Sequence, residues 1–231
     1  MISVWSRLLN LVSPRRCVSC GLRLAPGEDI VCAKCNLRLP RTLYHEDPYE
    51  NAMATMFWGQ MKVERCAALL FYSAGSEAGN IIYQMKYHGH PEIGVKMGRK
   101  MGSELMDSGF FEGIDLLIPL PLGRNRLRQR GFNQSAEIAR GVSEATGIPV
   151  GERVMSRTQF RESQTHKGRW ERNENVKDGF RLENAEAIRG KHLLLIDDVA
   201  TTGATLIACG TELLKAEDTR VSILTLAYAK P

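Results

Sequence analysis

The sequence predicts an α/β protein: a parallel sheet flanked by helices, with a small cysteine-bearing module in front of it. Two observations carry this. In the part of the chain after the first cysteines, short apolar runs that read as strands alternate with amphipathic helical patterns. That order builds parallel sheets through crossover connections. Ahead of them, four of the six cysteines fall as Cys17-x2-Cys20 and Cys32-x2-Cys35, with eleven residues between the pairs. The expected division is a module over 1–43 and an α/β domain over 44–231.

Composition bounds the class. With 43% hydrophobic and 25% charged residues the chain has the profile of an ordinary folded protein. No apolar run reaches the roughly 20 residues a membrane-spanning helix needs. The opening stretch MISVWSRLLNLVSPRRC spaces Ile2, Val4, Trp5, Leu8, Leu9 and Val12 as an amphipathic helix with Pro14 just past its end. Arg7 and Asn10 interrupt it and no basic n-region precedes it, so it is not read as a signal peptide. Packing against its own domain is favoured over lying on a membrane, and a cytoplasmic location is expected. The formal charge of +5 suits a polyanionic ligand, although many proteins with that balance bind none.

Each CxxC knuckle can present two thiolates to one tetrahedral ion, and Gly21, Pro26 and Gly27 permit the chain to turn back between them. Disulfides are disfavoured because nothing directs the chain to an oxidising compartment. A redox CxxC is disfavoured because there are two, at ribbon spacing. Four thiolates leave no open position, so the expected ion is a structural Zn²⁺ held by Cys17, Cys20, Cys32 and Cys35. Cys66 and Cys209 read as buried reduced thiols. His88 and His90, with Gly89 between them and Pro91 after, read as solvated imidazoles in a turn.

The elements follow in order. RCAALLFYSAG is a strand ending near Gly75; EAGNIIYQMKYHG and IGVKMGRKMGSELMD are helices. A buried-type strand spans Ile114 to Ile118 and is stopped by two prolines. After an Arg-rich turn, NQSAEIARGVSEATG is a helix with Asn133 or Ser135 as cap and Gly147 as stop. The basic, polar tract from Ser156 to Asp178 lacks apolar periodicity and reads as a mobile loop. A strand Leu193 to Ile196, a helix from about Ala204 to Lys215 and a last strand RVSILTLAYA complete the chain.

The chemistry concentrates in LLLIDDVATTGAT, Leu193 to Thr205. Asp197 and Asp198 follow a buried strand, where unpartnered carboxylates are costly. In a parallel α/β sheet that end opens onto the ligand crevice. The turn Ala200, Thr201, Thr202, Gly203, Ala204 and Thr205 leads into a helix whose first N–H groups have no intrahelical acceptor and favour an anion. The threonine hydroxyls add donors, and Gly203 lets the backbone come close. No lysine lies between Asp197 and Lys215, unlike a Walker A loop. A monophosphate cup preceded by two acids points to a sugar phosphate whose vicinal hydroxyls donate to the carboxylates, and ribose 5-phosphate fits.

LLLIDDVATTGAT resembles the PRPP-binding motif of type I phosphoribosyltransferases. From about Pro14 to Ala229 the chain resembles the competence protein F (ComF) family, which includes GntX-type proteins. The two knuckles, IIYQMKYHG, LIPLPL with RLRQRGFNQS, SRTQFRESQTHKGRWERNENV and the acid-acid-threonine motif carry the likeness. The resemblance implies a type I phosphoribosyltransferase-like sheet with an N-terminal zinc ribbon. It assigns Asp197 and Asp198 to the ribose hydroxyls, 200–205 to the 5-phosphate and Arg124 to the pyrophosphate loop. It also implies Mg²⁺ bridging pyrophosphate and ribose hydroxyls, and a loop closing over the reaction centre.

Breaking the C1 bond of PRPP leaves positive charge on the ribose and negative charge on pyrophosphate, so cations must hold the anion. Arg161, Lys167, Arg169 and Arg172 in the loop are candidates, with Arg169 placed among the catalytic residues. Arg124, Arg126, Arg128 and Arg130 alternate, so in extended conformation they share a face that clamps pyrophosphate or tracks a nucleic-acid backbone; a solvated basic face is the bland alternative. Trp170 and Tyr87 each lie beside a basic residue and Phe132 lies two residues from Arg130, as base-stacking aromatics do. The resemblance implies a role in natural competence, with single-stranded DNA and a competence helicase as partners. Three readings stand at this point: a phosphoribosyl transferase, a single-stranded DNA-binding factor, and a PRPP sensor without catalysis. Residues 41 to 90 carry no readable acceptor code.

Overall fold

The computed structural model describes residues 15–87, 89–158 and 179–230. The amphipathic stretch of the first fourteen residues, His88, and the loop candidates Arg161, Lys167, Arg169, Trp170 and Arg172 lie outside the described residues. In chain order the elements are α1 (Ala33–Arg38), β1 (Cys66–Tyr72), α2 (Glu77–Tyr87), α3 (Pro91–Leu105), β2 (Leu116–Pro119), α4 (Arg124–Arg130), α5 (Gln134–Thr146), β3 (Met155–Thr158), β4 (Gly179–Leu182), β5 (His192–Ala200), α6 (Ala204–Leu213) and β6 (Arg220–Ala229). Short 3₁₀ turns follow at Ala54–Phe57 and Met106–Ser108.

The main sheet is four-stranded and parallel in the order β1-β6-β5-β2. Helices cover both faces, which is why Leu193 to Ile196 is continuously apolar. Leu194 and Ile196 join the core that holds Leu117, Ile138 and Val142. Leu193 and Leu195 join Ile118, Leu206 and Leu213 on the other side. Cys66 and Cys209 are fully buried and reduced, and burial pushes both thiols up. Irregular segments cover the sheet's edges. The Phe71 N–H donates to Pro40 O (2.7 Å) beside β1, and the Leu117 N–H to Pro149 O (2.9 Å) beside β2. This satisfies groups that would otherwise template pairing with another chain.

Helices α3 and α5 cross at backbone contact through glycines. A Cβ on Gly98 would lie 2.0 Å from Ile138 O, and one on Gly141 1.9 Å from Val95 O. The close crossing fixes α5, whose first turn reaches the crevice. The cysteine module packs onto the same layer: Leu24, Ile30 and Leu39 share a core with Ile81, Met85 and Ile93. Asn80 Nδ2 in α2 donates to Ser19 O (3.1 Å), and Arg41 donates to both carboxylate oxygens of Glu104 in α3 (2.8 and 3.0 Å). No helix among the described residues is long and apolar enough to cross a membrane.

Three differences from the sequence reading have physical reasons. The arginine run is not extended: it forms helix α4, stopped by Gly131 in the left-handed region (φ 81°) with its N–H bonded to Leu127 O. Arg, Leu and Gln are good helix formers, and glycine is the favoured stop. A helix puts Arg126 and Arg130, four apart, on one side, and Arg124 and Arg128 on another. Strand β5 does not stop at Ile196 but runs through both aspartates to Ala200, paired along β6. The start of the polar tract also pairs: β3 and β4 form an antiparallel ribbon in register Met155 with Leu182 through Thr158 with Gly179.

Candidate functional site

A cavity of about 360 Å³ opens at the C-terminal edge of the sheet. Tyr72 from the end of β1, Leu120, Pro121 and Leu122 after β2, and Asp197, Asp198 and Val199 in β5 form its base. Helix α2 supplies Tyr83, Lys86 and Tyr87, α4 supplies Arg126 and Arg130, α5 supplies Gln134 and Ser135, and β3 supplies Arg157. Thr201 and Thr205, from the turn into α6, complete it. Four cations against two carboxylates favour an anionic ligand.

The two carboxylates are held differently. Oδ1 of Asp197 accepts from Ser135 Oγ (2.9 Å) and from the Asp198 N–H (2.8 Å). Oδ1 of Asp198 pairs with Lys86 Nζ at 3.0 Å. Ser135 is positioned by the cap of α5, in which Asn133 Oδ1 accepts the Ser135 N–H (3.2 Å) while Asn133 Nδ2 donates to Leu120 O (3.0 Å). A chain of hydrogen bonds thus runs from the end of β2 to Asp197. Burial, and then the charge of Asp198, push Asp197 up to about 7 against the pull of its donors. Its carboxylate becomes a stronger acceptor once a ligand offers hydroxyls or positive charge.

Helix α6 begins at a left-handed Gly203 (φ 74°) with no side-chain cap, and the first intrahelical bond runs from Ile207 N–H to Gly203 O (2.8 Å). The N–H groups of its first turn therefore have no intrahelical acceptor, the arrangement that binds phosphate. Thr202 is exposed and Ala200 is buried, and neither of these, nor Gly203 or Ala204, lines the cavity. Arg124, with Arg128, lines a neighbouring cavity of about 1170 Å³ that also holds Arg140, Arg181 and Phe132. The structure does not bring Arg124 to the carboxylates; Arg126 and Arg130 are there instead.

Lys86, Ser135, Gln134 and Arg157 were not singled out as site residues from sequence. A lysine on a solvated helix face carries no signal of its own. On the rim, the rings of Tyr83 and Tyr87 lie 5.1 Å apart, and the Arg130 guanidinium sits 5.7 Å from the Tyr87 ring centre. Both tyrosines are more than half exposed.

In the module, the sulfurs of Cys17, Cys20, Cys32 and Cys35 all lie within 4.8 Å of one another, with Cys20 and Cys32 3.8 Å apart. Tetrahedral Zn²⁺ with bonds of about 2.3 Å requires sulfur separations of about 3.8 Å, so the donor set fits that ion. Burial opposes ionisation of Cys17, but N–H groups led by Cys32 outweigh it and bring this thiol down to about 7. Cys35 moves the other way, pushed up by burial to about 12, so Cys17 is the member of the cluster held closest to thiolate. His90 pairs with Glu92 (2.8 Å) on the surface and is not one of the clustered metal-type donors among the described residues.

The phosphoribosyl transferase domain family matches residues 131–231, the span that holds α5, the two aspartates and the α6 turn. Competence protein ComFC of Bacillus subtilis (strain 168) is 35% identical over 114 residues, 48% of this chain and 43% of that protein. Over that span the chain is similar to ComF-type proteins. DNA utilization protein YhgH of Escherichia coli (strain K12) is 26% identical over 215 residues, 89% of this chain and 93% of that protein. The Salmonella typhi protein of the same name is 28% identical over 138 residues, 58% of this chain and 60% of that relative, so the chain spans less than two thirds of the length of that relative.

Proposed function

We propose that the chain binds PRPP in the cavity at the C-terminal edge of the sheet and transfers its phosphoribosyl group to an acceptor, in a role linked to DNA use. One observation carries this: Asp197 and Asp198, the turn into α6, and the cations Lys86, Arg126 and Arg130 line one cavity. The acids accept from the ribose hydroxyls and the α6 start takes the 5-phosphate, while the cations face the diphosphate. As the C1–O bond opens, the leaving diphosphate gains charge that these cations stabilise in place. Mg²⁺, a hard cation that takes oxygen ligands, fits the carboxylates and the oxygens PRPP brings, and supplies further neutralisation of the diphosphate. Arg169 stays in the proposal as a residue delivered from the tract between β3 and β4. The four cysteines hold a structural Zn²⁺ that seats the module against α2 and α3.

A second reading has its own support. The exposed Tyr83 and Tyr87 beside Arg130, with the arginines of α4 next to them, make a stacking platform in a basic surface, as single-stranded DNA binding uses. Two measurements separate the readings. Pyrophosphate release from PRPP with a panel of nucleobases and amines identifies a transferase. PRPP binding without release identifies a sensor. Single-stranded DNA affinity that falls steeply with salt supports the binding factor, and a flat response rejects it.

A further inference from the structure

Gln134, the first residue of α5, lines the cavity beside Ser135 and is 1% exposed. Its Oε1 accepts from Arg130 Nη1 (2.9 Å), whereas its Nε2 has no hydrogen-bond partner among the described residues. The amide cannot be turned over to relieve this. Exchanging O and N would set two donors, Nε2 and Arg130 Nη1, against each other at that distance. A buried N–H without an acceptor is costly, and such groups persist where something else supplies the acceptor. The backbone of this helix start has little left to offer a ligand. The N–H groups of Ser135, Ala136 and Glu137 all find acceptors on Asn133, and the buried side-chain amide of Gln134 is a donor still open to a ligand.

We propose that Gln134 is a specificity-determining residue for the diphosphate of PRPP, a reading that rests on the PRPP site above. Nε2 donates to a diphosphate oxygen, and Oε1 steadies the Arg130 guanidinium toward the same group. The neighbourhood selects the anion over a ribose hydroxyl. Arg126 and Arg130 share the side of α4 that faces the cavity, and the start of α5 favours negative charge.

The test uses calorimetric titration of PRPP and of ribose 5-phosphate, each with Mg²⁺, into wild type, Gln134→Glu and Gln134→Met. Gln134→Glu keeps an acceptor for Arg130 but loses the donor, and Gln134→Met loses both. Both variants are expected to weaken PRPP on the order of tenfold to a hundredfold, as loss of a hydrogen bond to a charged group does, with ribose 5-phosphate changed by less than about threefold. Should Gln134→Glu fail to fold, the Met variant alone decides. Unchanged PRPP affinity overturns the assignment, and so does equal weakening of both ligands, which marks a general structural role. Wild type that binds neither ligand overturns the PRPP site and this assignment with it; wild type that binds PRPP with unaffected variants overturns the assignment alone.

Discussion

The Lys86 ammonium lies 3.0 Å from Oδ1 of Asp198, joining helix α2 to the acidic end of β5. Both side chains are mostly buried, so removing one partner strands the other's charge. Lys86→Met should lower the free energy of unfolding in urea by about 2 kcal/mol. Adding Asp198→Asn should restore most of that loss, a non-additivity of neighbours in contact. Additive effects of the two substitutions would show the pair is not coupled.

Asp197 gives a pH dependence of definite sign. Its folded value of about 7 lies above the ordinary 3.8, so between those values the folded state holds a proton that the unfolded chain gives up. The stability this group contributes is therefore present below about pH 4 and is lost as pH rises through 7. Asp197→Asn keeps an oxygen for the Ser135 and Asp198 donors without the charge. In chelator, its melting temperature should exceed wild type at pH 8, by a margin worth about 2 kcal/mol that vanishes toward pH 4. A variant that gains nothing at pH 8 contradicts the assigned burial.

The glycine crossing of α3 and α5 allows a test of the scaffold. Alanine at an exposed helical glycine gains up to about 1 kcal/mol of helix propensity. At Gly98 and Gly141 the new Cβ meets backbone oxygen at 2.0 and 1.9 Å, and backbone cannot step aside as a side-chain end can. Overpacking should dominate, with Gly98→Ala or Gly141→Ala losing about 2 kcal/mol or more in chemical denaturation. Either variant melting at or above wild type would argue against the close crossing.

Metal in the module is predicted to be structural. Elemental analysis should find one zinc per chain, and Cys17→Ser should lose it together with several degrees of melting temperature, because zinc binding is folding free energy for such a module. A zinc-free chain that melts unchanged would contradict this.

Much of the fold was legible because burial writes itself into sequence. The apolar run of β5, the helical spacing of α2, α3 and α5, and the Asn133 and Gly147 ends of α5 correspond to what the structure contains. The arginine run misled because charges at every second position mimic a strand, while the actual determinants of α4 are intrinsic propensity and the left-handed Gly131. The β3–β4 ribbon was missed because each strand is four residues long and buries one apolar side chain, Met155 and Phe180, too few to show an alternation. In the site, the acid pair and the threonine turn form one compact motif. Lys86, Gln134 and Arg157 come from three separate elements, α2, α5 and β3, that meet only in the folded chain. Long-range convergence of single residues leaves no local pattern to read.

The central claim is a PRPP site built on the end of β5 and the start of α6. The most direct test is the thermal shift of wild type and of the Asp197→Asn/Asp198→Asn double variant on adding PRPP with Mg²⁺. A ligand at a hundredfold its dissociation constant stabilises by about 2.7 kcal/mol, so wild type should melt several degrees higher while the variant stays where it was. No shift in wild type, or an equal shift in the variant, would contradict the account.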